Sequence, residues 1–172
     1  MPPLTARAVS MALLGGVAIV LFLSQGFLMW AGFIGWAAFI EAGGDGAAFK
    51  KSVSGNIFGA LVAWAALLAA VSVSVPVGGW LWMPRTGLAV AISLFVLVYA
   101  SRLELLSRVS ASLLGYAAVF GAATLAVAEV TGPERLTGLH AYNPLLVAVI
   151  SMVGGAVFGL ASGKLAEAMT KK

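Results

Sequence analysis

Long apolar stretches alternate with short polar breaks along the whole chain. The breaks fall at Ser24-Gln25, Glu41 to Lys51, Pro76 to Arg85, Arg102 to Arg108 and Thr131 to Tyr142, leaving six apolar segments near 8–24, 27–41, 52–75, 86–101, 109–130 and 143–163. A helix needs about 20 apolar residues to cross a hydrocarbon core, so the pattern predicts an all-α polytopic membrane protein with six transmembrane helices. Spans two and four are short. Span two, at about 15 residues, reaches only about 22 Å as a straight helix, a length that also suits a re-entrant half-helix.

Positive charge decides between those two readings. If all six segments cross, the N-terminus, the second and fourth loops and the C-terminus share one side. That side carries Arg7, Lys50, Lys51, Arg102, Arg108, Lys164, Lys171 and Lys172, against Arg85 and Arg135 on the other. Lys and Arg flanking membrane spans are retained in the cytoplasm, which predicts both termini inside. A re-entrant span two would move Lys50 and Lys51 outside and destroy the asymmetry. Arg7 before the run Val9 to Leu23 is reminiscent of a signal peptide, but Phe22-Leu23-Ser24-Gln25-Gly26 lacks a small-x-small cleavage pattern. The first segment therefore reads as an uncleaved span.

Composition narrows the class further. Of 172 residues, 62% are hydrophobic and 9% charged, with mean hydropathy +1.06. Six spans consume about 120 positions, so residues 1–172 read as a single membrane domain with no room for a soluble catalytic unit. The net charge of +4 matches anionic lipid headgroups, making the bilayer the expected partner and nucleic acid not one. The absence of cysteine excludes disulfides and thiolate metal sites.

Short echoes suggest that the chain repeats itself. Gly35-Trp36-Ala37-Ala38 in span two corresponds to Gly115-Tyr116-Ala117-Ala118 in span five. Gly55-Asn56-Ile57-Phe58-Gly59 in span three corresponds to Gly155-Ala156-Val157-Phe158-Gly159 in span six. Two three-span halves, 8–75 and 86–163, would be inserted with opposite orientation, a 3+3 inverted repeat, with extra residues around Ala122 to Tyr142. Gly55 and Gly59, and the stripe Ser151, Gly155, Gly159 and Gly163, are expected to be helix-packing positions where backbones approach closely, within a subunit or in a homo-oligomer. Asn56 is the polar exception, needing either a neighbouring helix or a solute as its partner.

Aromatic residues supply the candidate pore lining. Phe33, Trp36 and Phe39 drift along one face of span two, and Tyr116 and Phe120 would be their counterparts in span five, forming with Asn56 a constriction for a small solute. Chemistry is conspicuous by its position: Glu41, Asp45, Arg102, Glu104, Arg108, Glu129, Glu134 and Glu167 all lie at or near segment ends. With no charge at a span centre, ion coupling loses its usual carriers. The one histidine, His140, lies in a loop, and neither a buried carboxylate pair nor a phosphate-binding Gly-rich loop is present. No catalytic residue, cofactor or metal ligand is expected, and the protein reads as a non-enzyme.

At Trp30-Ala31-Gly32-Phe33-Ile34-Gly35, followed by Glu41-Ala42-Gly43-Gly44-Asp45-Gly46 and Lys50-Lys51-Ser52, the chain resembles a family of small bacterial inner-membrane proteins catalogued as a domain of unknown function. The resemblance covers most of the chain and implies a multi-pass protein of the bacterial inner (cytoplasmic) membrane, with no established activity and no functional residue to carry over. The combined expectation is a passive channel or facilitator for a small, mostly neutral solute. The alternatives are an ion-coupled small-solute transporter and a non-transporting accessory or scaffold subunit.

Overall fold

A computed structural model describes residues 1–71, 82–125 and 134–170, and the described residues are helical throughout, without strands. Seven α-helices follow in order: α1 (Pro3–Ser24), α2 (Met29–Glu41), α3 (Gly46–Val71), α4 (Trp82–Tyr99), α5 (Val109–Thr124), the single turn α6 (Glu134–Thr137) and α7 (Pro144–Thr170), with two short 3₁₀ turns between α4 and α5. The helical segments containing α1, α3, α4 and α7 are long and apolar enough to cross a membrane; α2 and α5 are shorter apolar helices. Each of the six apolar segments of the sequence thus coincides with one helix. Pro76, Glu129, Thr131, Lys171 and Lys172, named in the reading of the sequence, lie outside the described residues.

Two of the turns need glycine. Between α1 and α2, Gly26 takes φ 70°, while the Phe27 N–H donates to Phe22 O across the helix end. Between α2 and α3, Gly43 and Gly44 take φ 126° and 74°, and the Gly44 N–H donates to Phe39 O. Both are helix stops in which a left-handed residue lets an orphan carbonyl be satisfied. Asp45 then caps α3, its Oδ1 accepting from the Ala48 N–H at 2.7 Å.

The core is made of backbones meeting through small residues. α2 and α7 run parallel: the Leu28 N–H donates to Ser151 Oγ at 2.9 Å, a β-carbon at Gly155 would overlap Gly32 O, and one at Gly159 would lie 2.8 Å from Trp36 Cδ1. α3 and α5 also run parallel, with Gly55 against Ala111 and a β-carbon at Gly59 overlapping Ser112 O. The outer helices are antiparallel to their neighbours. α1 meets α7 through Ser10 and Ser162, 3.4 Å apart, and through Phe22 beside Gly154; α4 meets α3 where Arg85 Nη2 donates to Ala69 O at 2.6 Å. In a bilayer lipid tails are as apolar as leucine, so close van der Waals contact of this kind replaces hydrophobic burial as the cohesive force.

Charge segregates to one end of the bundle. There the Met1 amino group donates to Met169 O, Arg108 donates to Ala42 O, and Lys51 pairs with Glu104 at 3.7 Å. At the opposite end, α5 stops at Thr124, short of the residue 130 expected from hydropathy. The reason is Arg135 on α6, whose guanidinium donates to Ala122 O at 2.8 Å, to Ala123 O at 3.2 Å and to Leu125 O. A rigid five-donor fork is suited to collecting the unpaired carbonyls of a helix end. Asn143 caps α7, its Oδ1 accepting from Leu145 N–H while Nδ2 donates to Leu136 O and Gly138 O.

Candidate functional site

Along the seam of α3 and α5 the packing buries several polar side chains. Asn56 on α3 and Ser112 on α5 are each 1% exposed, and Ser52 lies one turn before Asn56, also fully buried. Neither Asn56 Nδ2 nor Oδ1 has a hydrogen-bond partner among the described residues, and Ser112 Oγ has none either. Ser52 Oγ is satisfied locally, donating to Phe49 O. One turn beyond Ser112, the Tyr116 hydroxyl meets Ser93 Oγ of α4 at 2.8 Å. Ser93 in turn lines a cavity of about 450 Å³ between α3 and α4, whose other walls are mostly alanine and branched aliphatic residues, with Arg85 at its outer end.

The seam is held by two glycines. A β-carbon at Gly59 would overlap Ser112 O, and one at Gly115 would overlap Asn56 O, so the α3 and α5 backbones touch on either side of the unpartnered groups. The mirror arrangement joins α2 and α7, where Gly155 abuts Gly32 O and Gly35 abuts Met152 O.

The expected aromatic residues divide among three places. Trp36, buried, is stacked between Phe33 and Phe158 at centroid distances of 6.2 and 6.4 Å, and its Nε1 has no hydrogen-bond partner among the described residues. Phe33 is exposed at the outer surface. Phe39 packs edge-on against Phe49 in a separate small cluster with Ala42, Ala48 and Ala156. Tyr116 stacks on Phe120 at 4.9 Å and faces α4 through Ser93. Trp36 and Tyr116 therefore have different neighbours, the first on α7 and the second on α4. Of the packing positions, Ser151, Gly155 and Gly159 lie against α2 or its N-terminal turn, Gly163 approaches the Gly44 carbonyl at the α2–α3 turn, and Gly55 lies against α5.

Ser112, Ser93 and Arg135 are the residues that sequence reasoning did not single out for these places. Ser112 carried a signal: it stands three residues before Gly115, as Gly32 stands three before Gly35, so extending the echo between spans two and five backwards by three residues reaches it. Arg135 carried none, because a cation in a loop gives no indication of which carbonyls it will reach. No group of three or more metal-ligating side chains occurs among the described residues.

The fold and its core define a helical membrane protein, with four helices of spanning length and two shorter apolar ones. The chain belongs to DUF1097, a protein family of unknown function, whose family model matches residues 8–167. No curated protein and no solved structure shows a significant match.

Proposed function

We propose that the protein is a passive facilitator for a small, mostly neutral solute, built from two three-helix halves that cross the membrane in opposite orientation, six spans in all. The path lies at the junction of the halves, where α2, α3, α5 and α7 meet. The observation that carries this reading is a pairing of contacts. Trp30 packs over Gly121 at one end of the α2–α5 crossing, where a β-carbon on that glycine would lie 2.8 Å from the indole Cη2, and Ser110 donates to Glu41 at 2.7 Å at the other. Moving eighty residues along the chain turns Trp30 into Ser110 and Glu41 into Gly121, so the two contacts exchange, as a two-fold axis requires.

The same rule supports the rest of the arrangement. The buried set Gly32, Gly35 and Trp36 corresponds to Ser112, Gly115 and Tyr116 at that spacing. On α3 and α7 the buried positions Gly55, Asn56, Gly59 and Ala63 correspond to Ser151, Met152, Gly155 and Gly159, ninety-six residues apart. This register aligns Gly59 with Gly155, one turn from the Gly55–Gly155 alignment of the sequence motifs. Parallel α3 and α5 fit an odd number of crossings between them, which gives α4 its place as a full span. Basic residues gathered at one end support N-in, C-in insertion.

Inverted halves that meet at mid-depth are the architecture of many membrane transport proteins, with the solute path at the junction. The charged residues lie towards helix ends, which favours a neutral solute and no ion gradient. One observation favours the accessory-subunit alternative: α4 presents Leu88, Ile92, Phe95 and Val96 outward, a surface that suits lipid or a partner helix equally. Stopped-flow swelling of proteoliposomes with water, urea, glycerol and short amides decides between them. The facilitator reading expects flux above that of empty liposomes without a proton gradient, and altered solute selectivity in Trp36→Ala and Tyr116→Ala. Flux equal to empty liposomes for every solute, or dependent on a gradient, refutes it.

A further inference from the structure

We propose that Asn56 and Ser112 form a hydrogen-bonding site for solutes of the amide class, and that this site selects what the protein passes. The inference rests on the transport reading above and adds the chemical identity of the solute. Its origin is the contrast between the chain's two asparagines. Asn143 uses its amide fully, capping α7 and holding the preceding turn through Leu136 O and Gly138 O. Asn56, 1% exposed, uses neither its donor nor its acceptor among the described residues, and Ser112 Oγ is likewise unpaired there. An orphaned buried polar group costs about 1–3 kcal/mol, and a membrane interior offers no water to relieve it. An asparagine whose task was to hold helices together would bond to a neighbouring backbone, as Asn143 does.

The pattern of unpaired atoms specifies the ligand. A bare cation would satisfy Asn56 Oδ1 and the Ser112 oxygen while facing the Nδ2 donor; an anion would satisfy Nδ2 and face Oδ1. A neutral molecule with a donor and an acceptor on neighbouring atoms satisfies both ends of the side-chain amide at once through paired N–H···O bonds. Primary amides and urea have that arrangement, and the Ser112 hydroxyl, able to donate or accept, completes the set. The backbone contacts at Gly59 and Gly115 close the seam around these groups, so a solute reaching them would have to be of few heavy atoms. Asn56 lies within α3 ten residues after Gly46 and fifteen before Val71, and five after Lys51, so the site falls in the half of the span nearer the basic end. Across the proposed two-fold axis its counterpart Met152 is wholly buried and apolar, so there is one such site per chain.

Because only two asparagines are present, ¹⁵N-asparagine labelling of the full-length protein in nanodiscs yields two side-chain amide signals, assigned by Asn56→Leu. Titration with formamide is expected to shift the Asn56 signals saturably and leave those of Asn143 in place, with ethylene glycol and sodium chloride moving neither. Ser112→Ala should weaken formamide binding about five-fold, the loss of one hydrogen bond. In proteoliposomes Asn56→Leu should reduce formamide and urea flux at least about ten-fold, the loss of two such bonds, while melting no lower than the parent, since it removes two orphaned groups. Asn56 signals unmoved at molar formamide, or moved equally by ethylene glycol, overturn the amide site even if the protein conducts other solutes. Signals that shift in a protein passing no solute uphold the site and refute the transport reading.

Discussion

Replacing Gly35 with alanine tests the close approach on which the whole core depends. The added methyl carbon would lie 2.6 Å from Met152 Cα, where ordinary contact begins near 3.4 Å, and would overlap the Met152 carbonyl oxygen. Backbone atoms cannot rotate aside, so α2 must recede from α7 by at least about 0.8 Å, enough to forfeit much of the packing along a close-packed seam. Overpacking of this kind costs about 1–3 kcal/mol, against which alanine returns up to about 1 kcal/mol of helix propensity. Gly115→Ala should behave alike, because its methyl would lie 2.7 Å from Asn56 Cα. Gly15→Ala is the control: nothing lies within 4 Å of its β-carbon, leaving only the propensity gain. Melting in detergent, followed by loss of the monodisperse peak, should place Gly35→Ala and Gly115→Ala on the order of 5 °C below Gly15→Ala. Equal melting of all three variants would refute the backbone contact at the α2–α7 and α3–α5 crossings.

Three further outcomes are expected. Cysteine in place of Glu104 or Glu167, both exposed at the basic end, should resist an impermeant thiol reagent added outside intact cells, whereas Leu139→Cys at the other end reacts; labelling of Glu167→Cys from outside removes the six-span topology. Arg135→Ala should leave the Ala122, Ala123 and Leu125 carbonyls unpaired and cost about 2–3 kcal/mol, with faster amide exchange in the last turn of α5. Arg135→Lys should restore less than half of that, as a single ammonium cannot reproduce the fork; full rescue by lysine contradicts the capping role. Ser151→Ala should destabilise the start of α2 by about 1 kcal/mol, since the Leu28 N–H loses its acceptor, and unchanged melting would show that the bond contributes nothing.

Hydropathy alone located the four helices of spanning length and the two shorter apolar ones among the described residues, because transfer of a side chain into hydrocarbon depends on that side chain and little else. Each of the six apolar segments holds one helix, and six of the eight basic residues among the described residues gather at one end, with Arg85 and Arg135 at the other. Glycine spacing likewise marked the close contacts, since only an absent side chain lets two backbones touch. Tertiary structure decided what depends on a distant neighbour. The end of α5 at Thr124 follows from Arg135, brought back from beyond the helix. The separation of Trp36 from Tyr116 follows from which helix each ring meets, Phe158 on α7 or Ser93 on α4. Asn56 was visible as a polar residue inside an apolar run, but its lack of any partner was not. Whether a buried amide is satisfied is a property of every atom within about 3 Å of it, and those atoms come from parts of the chain that only folding brings together.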